Sequence, residues 1–205
     1  LTGSSGFLGR HLLKVLTPRH EVWALYRTHP PPELPEVHPV KGDVTEYLLG
    51  DVVDRSDLPA FDLVIHSAAI IDLGDGGLEK KRRIWATNTK GTGNVLGFAH
   101  ERNVKRFYYV STAYTQGRNT YERSKAKAEE AVRVFSELHL DTAVIFKPSV
   151  IVGDSGTYET IGAAGFYDVV RVLAGLNRRA ELMRRRIEGT LHLPTLPIPS
   201  VRIPG

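Results

Sequence analysis

The chain has 205 residues, with 27 Lys and Arg against 23 Asp and Glu, a formal charge of +4. That length fits one or two domains and buries enough surface to fold without a covalent or metal staple. Cysteine is absent, which excludes disulfides, zinc–thiolate and iron–sulfur sites and a cysteine nucleophile.

The apolar runs fall far short of the ~20 residues that span a bilayer, so no membrane span is expected. A charge of +4 is too mild to imply nucleic acid. Aromatic residues also do not alternate with basic ones along a strand face, so no nucleic-acid partner is expected. No leader segment is visible, and a cytoplasmic, reducing setting is the expectation. The chain opens at Leu1-Thr2-Gly3 without Met and closes through Pro194, Pro197, Pro199 and Pro204 to Gly205. Both ends read as cut from a longer chain.

Gly3-Ser4-Ser5-Gly6-Phe7-Leu8-Gly9 is glycine-rich. Phe7, Leu8, His11, Leu12, Val15 and Leu16 then share one helical face until Thr17-Pro18 stops it. Glu21–Tyr26 reads as a strand. Residues 28–39 carry five prolines and read as loop, with a short strand over Val37–Val40. Asp62–Ala69 is an apolar run without alternation, as in a buried parallel strand. A helix is predicted over Lys80–Arg102, a strand over Arg106–Ser111 and a helix over Tyr121–Leu138. A strand broken near Pro148 follows over Thr142–Val152, and then a helix over Val169–Arg186. Strands alternating with long helices give repeated βαβ units. The expected fold is therefore α/β, a Rossmann-type doubly wound parallel sheet. It occupies residues 1–155, and a small, incomplete C-terminal substrate lobe starts over 156–205.

The glycines have a chemical reading. A tight strand-to-helix turn that approaches a pyrophosphate needs residues without Cβ, which Gly3, Gly6 and Gly9 supply. The helix starting near Phe7 and Leu8 offers free N–H groups and a positive dipole end to the phosphate. After the second strand, NAD sites place a carboxylate on the ribose 2′-hydroxyl. This chain has Tyr26-Arg27-Thr28-His29 instead. Arg27 can clamp a 2′-phosphate bidentately, with Arg10 as a second partner. NADP(H) is the expected coenzyme, ahead of NAD(H). The plain alternative is a surface arginine at a strand end.

Tyr121 and Lys125 are four apart on a predicted helix and share a face. A nearby ammonium favours phenolate, and such a tyrosine can pass a proton to or from a substrate oxygen. The plain alternative is an ordinary solvated pair. What distinguishes this pair is its place, downstream of a glycine loop and just past a strand that ends in Ser111-Thr112.

Taken in order, these segments resemble the extended branch of the short-chain dehydrogenase/reductase superfamily, over roughly residues 1–155. Thr2-Gly3-Ser4-Ser5-Gly6-Phe7-Leu8-Gly9 matches its phosphate loop and Gly42-Asp43-Val44 its adenine-side segment. His66-Ser67-Ala68-Ala69 matches the strand end over ribose and pyrophosphate. Asn88 with Gly91-Thr92 matches its helix asparagine segment, and Pro148-Ser149-Val150 the stretch near the nicotinamide. The resemblance implies Tyr121 as acid/base, with Lys125 lowering its pKa and holding the nicotinamide ribose. It implies Thr112 as the hydroxyl on the reacting oxygen, with Ser111 the alternative. Asp43 would hold the adenine amine, and Asn88 would support local backbone or relay a proton. The coenzyme contacts so implied are Gly3, Ser5, Gly6, Phe7, Leu8, Arg27, Asp43, Val44, Ala68, Ala69, Asn88, Tyr121, Lys125, Pro148 and Val150. No metal site is expected, since the histidines lack paired ligand spacing.

Within the superfamily, three segments are most similar to the thioester and fatty acyl-CoA reductases. These are the Phe7-Leu8 loop, Ser111-Thr112-Ala113-Tyr114, and Lys147-Pro148-Ser149 running to Gly153-Asp154-Ser155. The implied reaction is NADPH-dependent reduction of an acyl thioester on CoA or a carrier protein. A nucleotide-sugar epimerase, dehydratase or reductase is the alternative, and a non-catalytic dinucleotide sensor a second one. The expected partner is a small or carrier-bound acyl substrate, with a homodimer left open. The sequence departs from the family at two places. Lys147 stands where the family has Arg. Thr112 and Tyr121 are only 121 − 112 = 9 apart, so residues are expected to be missing between Gly117 and Tyr121. Arg178, Arg179, Arg184, Arg185 and Arg186 form a basic cluster, read as a solvated face or as a dock for phosphates or an acidic carrier. His66, Trp23 and Trp85 are expected to serve packing.

Overall fold

The computed structural model describes residues 1–50, 52, 56–72, 74, 76–153, 155–156 and 166–191. The chain divides into two units, Leu1–Gly165 and Phe166–Gly205. Described residues of the second unit form one helix, α5 (Phe166–Leu191), on which Arg178, Arg179, Arg185 and Arg186 are exposed. Asp154, the stretch 157–165 and the proline-rich 192–205 lie outside the described residues.

The first unit is α/β. In chain order it holds α1 (Phe7–Leu16), β1 (Val22–Tyr26), β2 (Val37–Lys41), a short 3₁₀ turn (Tyr47–Leu49) and β3 (Val64–His66). There follow α2 (Leu78–Trp85), a π-helical turn (Ala86–Lys90), α3 (Gly91–Glu101), β4 (Arg106–Val110), α4 (Thr120–His139) and β5 (Thr142–Phe146). β1 pairs in parallel with β2, and β3, β4 and β5 pair in parallel in that order. Thr2 joins the two sets, bridging Leu25 on one side and His66 on the other, both in parallel. The sheet thus runs β2–β1–Thr2–β3–β4–β5, and the glycine loop leaves from its centre. Pro39 sits in β2, which among the described residues has β1 as its one neighbour, so its missing N–H costs no ladder bond there.

Helices cover both faces because β1 alternates. Val22 and Ala24 pack with Leu13 of α1 and with Val37. Trp23 and Leu25 point the other way, into a larger core containing Val95 and Phe98 of α3 and Ala128 and Val132 of α4. α1 ends where Thr17 turns its hydroxyl onto Leu13 O at 2.9 Å and Pro18 follows. α4 starts at Asn119, whose side chain accepts from Glu122 N at 2.8 Å. Glu122 in return accepts from Arg118 N at 2.9 Å, a close variant of the capping box.

Several boundaries differ from the sequence reading: β3 covers Val64–His66 rather than Asp62–Ala69, and α5 runs Phe166–Leu191 rather than Val169–Arg186. The single helix expected over Lys80–Arg102 is broken by the π turn at Ala86–Lys90. β5 stops at Phe146, six residues before the expected end at Val152. Lys147-Pro148 ends it, because proline has no N–H to give the ladder.

Candidate active site

The phosphate loop is a consequence of its glycines. Gly3 lies at φ +72°, and a Cβ there would stand 2.7 Å from Ala68 N. Gly6 N closes the turn on Gly3 O at 3.0 Å, and Gly6 caps α1. A Cβ on Gly9 would overlap Gly3 O and Ser4 Cα, so only glycine lets α1 lie down on the turn. Along this loop runs a cleft of about 290 Å³. Gly3, Ser5 and Gly6 line it at the helix end, Ala68 and Ala69 at the β3 end, and Arg27, Asp43 and Val44 at the far side. Eight of the expected coenzyme residues therefore share one cleft. Thr28, His29 and Thr87 line it too.

At the far side Arg27 NH1 faces Asp43 Oδ2 at 3.4 Å, with 57% of the Arg27 side chain exposed and 18% of Asp43. Burial raises the Asp43 pKa. Bonds from Thr45 N (2.8 Å) and Thr45 Oγ1 (2.9 Å), together with the Arg27 charge, outweigh it and leave the carboxyl below its ordinary value. Arg10 does not join them. Its guanidinium returns to Ser5 O at 3.0 Å, and it is not part of the cleft lining.

Of the other coenzyme candidates, Phe7 and Leu8 open α1 and are not in the cleft lining, Asn88 sits in the π turn, and Tyr121, Lys125 and Pro148 lie near the end of β4. Lys125 is 2% exposed. Its Nζ donates to Val110 O at 2.7 Å and stands 4.2 Å from the centre of the Tyr109 ring. Burial pulls its pKa from 10.5 down to about 7, against a smaller upward pull from Glu129. Tyr121 is 6% exposed. Burial raises its pKa, a side-chain hydrogen bond with Thr112 opposes that, and the Glu122 charge adds to it. This corrects one expectation from the sequence. Tyr121 is shifted upward and Lys125 is not among the causes, because that ammonium is turned onto Val110 and Tyr109 and desolvation dominates the phenol.

Ser111 and Thr112 separate cleanly. Ser111 Oγ donates to Glu129 Oε1 at 2.6 Å, so its hydroxyl is committed. Thr112 Oγ1 accepts from Tyr114 N at 3.2 Å and lies beside Tyr121. Pro148 O accepts from Ala113 N at 2.8 Å, which seats the Pro148 segment against this strand end, while Val150 is exposed. The connection from Gly117 to Thr120 is closed by Arg123 NH1 on Gly117 O at 2.9 Å.

Asn88, in the π turn, is buried and grips the strand end after β3. Its Oδ1 accepts from Ile70 N at 2.8 Å, and its Nδ2 donates to Ile70 O and to Ser124 Oγ, both at 3.0 Å. His66 is fully buried, and desolvation first, then the Lys125 charge, lower its pKa to about 3. It is neutral and pairs with Thr2 Oγ1 (2.7 Å) and Thr92 Oγ1 (3.0 Å), a packing and hydrogen-bonding role. Sequence reasoning missed Glu129 and Ser124, and it named Thr92 only as part of the Asn88 segment, without its bond to His66. Glu129 had a readable signal, since Tyr121, Lys125 and Glu129 repeat every four residues on α4. No cluster able to hold a metal ion and no helix long and apolar enough to cross a membrane occurs among the described residues.

With this geometry in hand, comparison with known proteins places the chain. The NAD dependent epimerase/dehydratase family matches residues 1–184, and the chain belongs to that family. Among curated proteins it is 35% identical over 120 residues to a 3 beta-hydroxysteroid dehydrogenase/Delta 5-->4-isomerase of Mycobacterium tuberculosis, covering 55% of this chain and 30% of that protein. It is 26% identical over 176 residues to a UDP-glucose 4-epimerase of Vibrio cholerae, covering 75% of this chain and 51% of that one. Among solved structures, the terminal R domain of the myxalamid PKS-NRPS biosynthetic pathway superposes with a TM-score of 0.64 at 25% identity. That match covers 75% of this chain and 49% of the R domain. A Bordetella bronchiseptica enzyme solved with NAD superposes at 0.60 with 24% identity, a likeness of fold, covering 78% of this chain and 55% of that one. The chain thus spans about half, or less, of the proteins it matches.

Proposed function

We propose that this chain is the coenzyme-binding part of an NADPH-dependent reductase acting on an acyl thioester carried by CoA or a carrier protein. The observation that carries the reading is the pairing of Tyr121 with Thr112 at the end of β4, in the same unit as the glycine-loop cleft. The residues suit a bound dinucleotide. Gly3 and Gly9 leave room that a Cβ would fill, and the N-terminus of α1 opens onto the loop. NADPH, when bound, supplies the hydride. Arg27 holds its 2′-phosphate and Lys125 its nicotinamide ribose. Thr112 and Tyr121 donate hydrogen bonds to the carbonyl oxygen as negative charge grows there. Tyr121 then gives that oxygen its proton to form a hemithioacetal, whose collapse, with the C–S bond breaking as the hydroxyl proton passes to the departing sulfur, would release the aldehyde and the CoA or carrier thiol. The upward shift of Tyr121 suits this direction, since a proton donor must enter the reaction protonated. The likeness to a terminal R domain supports the thioester among possible carbonyls.

A second reading, a nucleotide-sugar epimerase, draws on the match to the Vibrio cholerae enzyme over 75% of this chain. The two part in one assay. Full-length protein is given NADPH or NADH with a panel of acyl-CoAs, and loss of the reduced-nicotinamide absorbance is followed. Oxidation of NADPH that requires an acyl-CoA and vanishes in Tyr121→Phe is the expected result. Tight coenzyme binding with no oxidation on CoA- or carrier-bound acyl groups, together with turnover of a UDP-sugar, would replace the first reading by the second.

A further inference from the structure

Glu129 is a carboxylate that the proposed chemistry does not use, yet its side chain is only 8% exposed. Such a group is expensive to bury unless charge and hydrogen bonds surround it. Here they do, and the bonds form a circuit. Ser111 Oγ donates to Glu129 Oε1 at 2.6 Å. Lys147 Nζ, just past the end of β5, donates to Glu129 Oε2 at 3.1 Å and to Thr115 Oγ1 at 3.3 Å. Ser111 stands one residue before Thr112, and Thr115 three residues after it. The path from Ser111 through Glu129 and Lys147 to Thr115 thus leaves the chain on one side of Thr112 and returns to it on the other. Two backbone bonds tie the same stretch to the β5 side, from Ser111 N to Phe146 O and from Ala113 N to Pro148 O, both at 2.8 Å. Thr112 is buried, and its Oγ1 accepts from Tyr114 N at 3.2 Å, so the direction of its hydroxyl follows the course of this stretch.

We propose that Lys147 is a positioning residue that acts through Thr112. By joining Glu129 to Thr115 it closes the circuit and holds the Ser111–Thr115 stretch so that the Thr112 hydroxyl stays beside Tyr121. This rests on the role given to Thr112 in the proposed reaction. Residues 111–119 belong to neither helix nor strand, so side chains have to supply the hold that regular structure does not. Lys147 is the member that closes the circuit. Without it Glu129 keeps Ser111 on one oxygen and the Arg133 guanidinium 3.6 Å from the other, so the carboxylate stays paired. Thr115, by contrast, meets α4 through that ammonium. An ammonium suits the place, because its three donors let one nitrogen serve a carboxylate on a helix and a hydroxyl on a loop. The buried carboxylate partner also keeps the pair from being screened as a surface pair is. Lys147 is not part of the coenzyme cleft lining, so its loss should spare coenzyme binding.

The test is a double-mutant cycle on turnover. Full-length protein is assayed for NADPH oxidation on an acyl-CoA, in wild type and in Lys147→Met, Thr115→Val, Thr112→Val and the doubles Lys147→Met/Thr115→Val and Lys147→Met/Thr112→Val. Lys147→Met keeps the length of the side chain and drops the charge. Its kcat should fall about tenfold, as a small misplacement of a reacting group does, with KM for both substrates within about twofold of wild type. Thr115→Val breaks the other end of the bridge, and its kcat should fall roughly threefold, with no further loss once Lys147 is replaced. With Thr112 replaced there is no hydroxyl left to position, so Lys147→Met should cost Thr112→Val less than about twofold more. A side chain that only stabilised the fold would instead cost the same in both backgrounds. An unchanged kcat in Lys147→Met, or a second tenfold loss in Lys147→Met/Thr112→Val, overturns the proposal. Threonine methyl NMR reads the same placement without substrate. The resonance absent from Thr112→Val should shift or broaden in Lys147→Met, and an unmoved resonance refutes the positioning. The underlying reading fails on a different result. A wild type that oxidises NADPH on no acyl thioester, or a Thr112→Val that does so at the wild-type rate, removes the proposed role of Thr112 whatever Lys147→Met shows.

Discussion

Lys125 should cost the fold stability, and replacing it should show how much. Folding takes its ammonium from water to a site where it is 2% exposed and lowers its pKa from 10.5 to about 7. The gap of 3.5 units, at about 1.4 kcal/mol per unit, amounts to roughly 4–5 kcal/mol against the charged form. Lys125→Met removes that cost at similar volume. It also removes the bond to Val110 O, about 1–3 kcal/mol, and the contact with the Tyr109 ring, about 1 kcal/mol. The balance is a gain of about 0–3 kcal/mol at pH 7, up to several degrees in Tm for a domain this size. The pH dependence gives a sharper check. Between pH 7 and 10.5 the unfolded chain holds a proton that the folded chain has released, so wild-type stability rises with pH across that window. The advantage of Lys125→Met should therefore be constant below pH 7 and shrink by up to about 1.4 kcal/mol per unit above it. Urea unfolding of both proteins at pH 6, 7, 8 and 9 measures this. A variant less stable than wild type, or an advantage unchanged between pH 7 and 9, would refute the reasoning. NADPH should stabilise wild type and not the variant.

Other changes have equally definite signs. Arg27→Ser should lower the NADPH-over-NADH preference by about 10- to 100-fold, the worth of a charge-assisted contact to phosphate, with little effect on Tm because the Asp43 pair is largely exposed; equal Kd ratios in both proteins would remove Arg27 from the coenzyme site. Gly9→Ala should cost about 1–3 kcal/mol and abolish coenzyme binding, since its methyl overlaps Gly3 O. Gly93→Ala, in α3 with open space around it, should gain about 0.5–1 kcal/mol. His66 has a folded pKa of about 3 against 6.5 unfolded, so the unfolded chain binds the extra proton between those values and stability falls with acid. The stability gap between wild type and His66→Gln should narrow by about 2 kcal/mol from pH 7.5 to pH 5 in urea titrations.

Much of this site was readable before any coordinates. Glycine spacing identified the loop because only Cβ-free residues permit that turn. α4 was readable because its apolar and charged residues keep helical periodicity from Tyr121 to Leu138. The π turn at Asn88 was not. Ala86-Thr87-Asn88-Thr89-Lys90 reads as ordinary helix, and the extra residue per turn goes with two-handed bonding to Ile70, a residue 18 positions away. The direction of the Tyr121 shift was misjudged for a similar reason. Spacing says that Lys125 shares a face with Tyr121, but it does not say where a four-carbon side chain ends. Packing sent it to Val110 and Tyr109, and burial then decided the sign.

Asn88 had two expected roles, backbone support or proton relay, and the surrounding bonds favour the first. Thr92 Oγ1 gives its proton to Asn88 O at 2.7 Å, so it must accept from His66 Nε2, which therefore carries hydrogen. His66 Nδ1 is then the acceptor, and Thr2 Oγ1 donates to it. Asn88 Nδ2 is divided between Ile70 O and Ser124 Oγ, and Ser124 gives its own proton to Tyr121 O at 2.7 Å. The donors that run from Thr2 through His66, Thr92 and Asn88 to Ser124 are committed, and the one titratable group among them stays neutral far below physiological pH. A chain so filled cannot pass a proton without breaking several buried bonds, each costly in a low-dielectric interior. What it can do is fix distance. Thr2 starts the phosphate loop, and Ser124 holds the first turn of α4, where Tyr121 sits. Loop and helix are thus held in register by these buried side chains, as the proposed hydride transfer, tolerant of only small misplacement, would require.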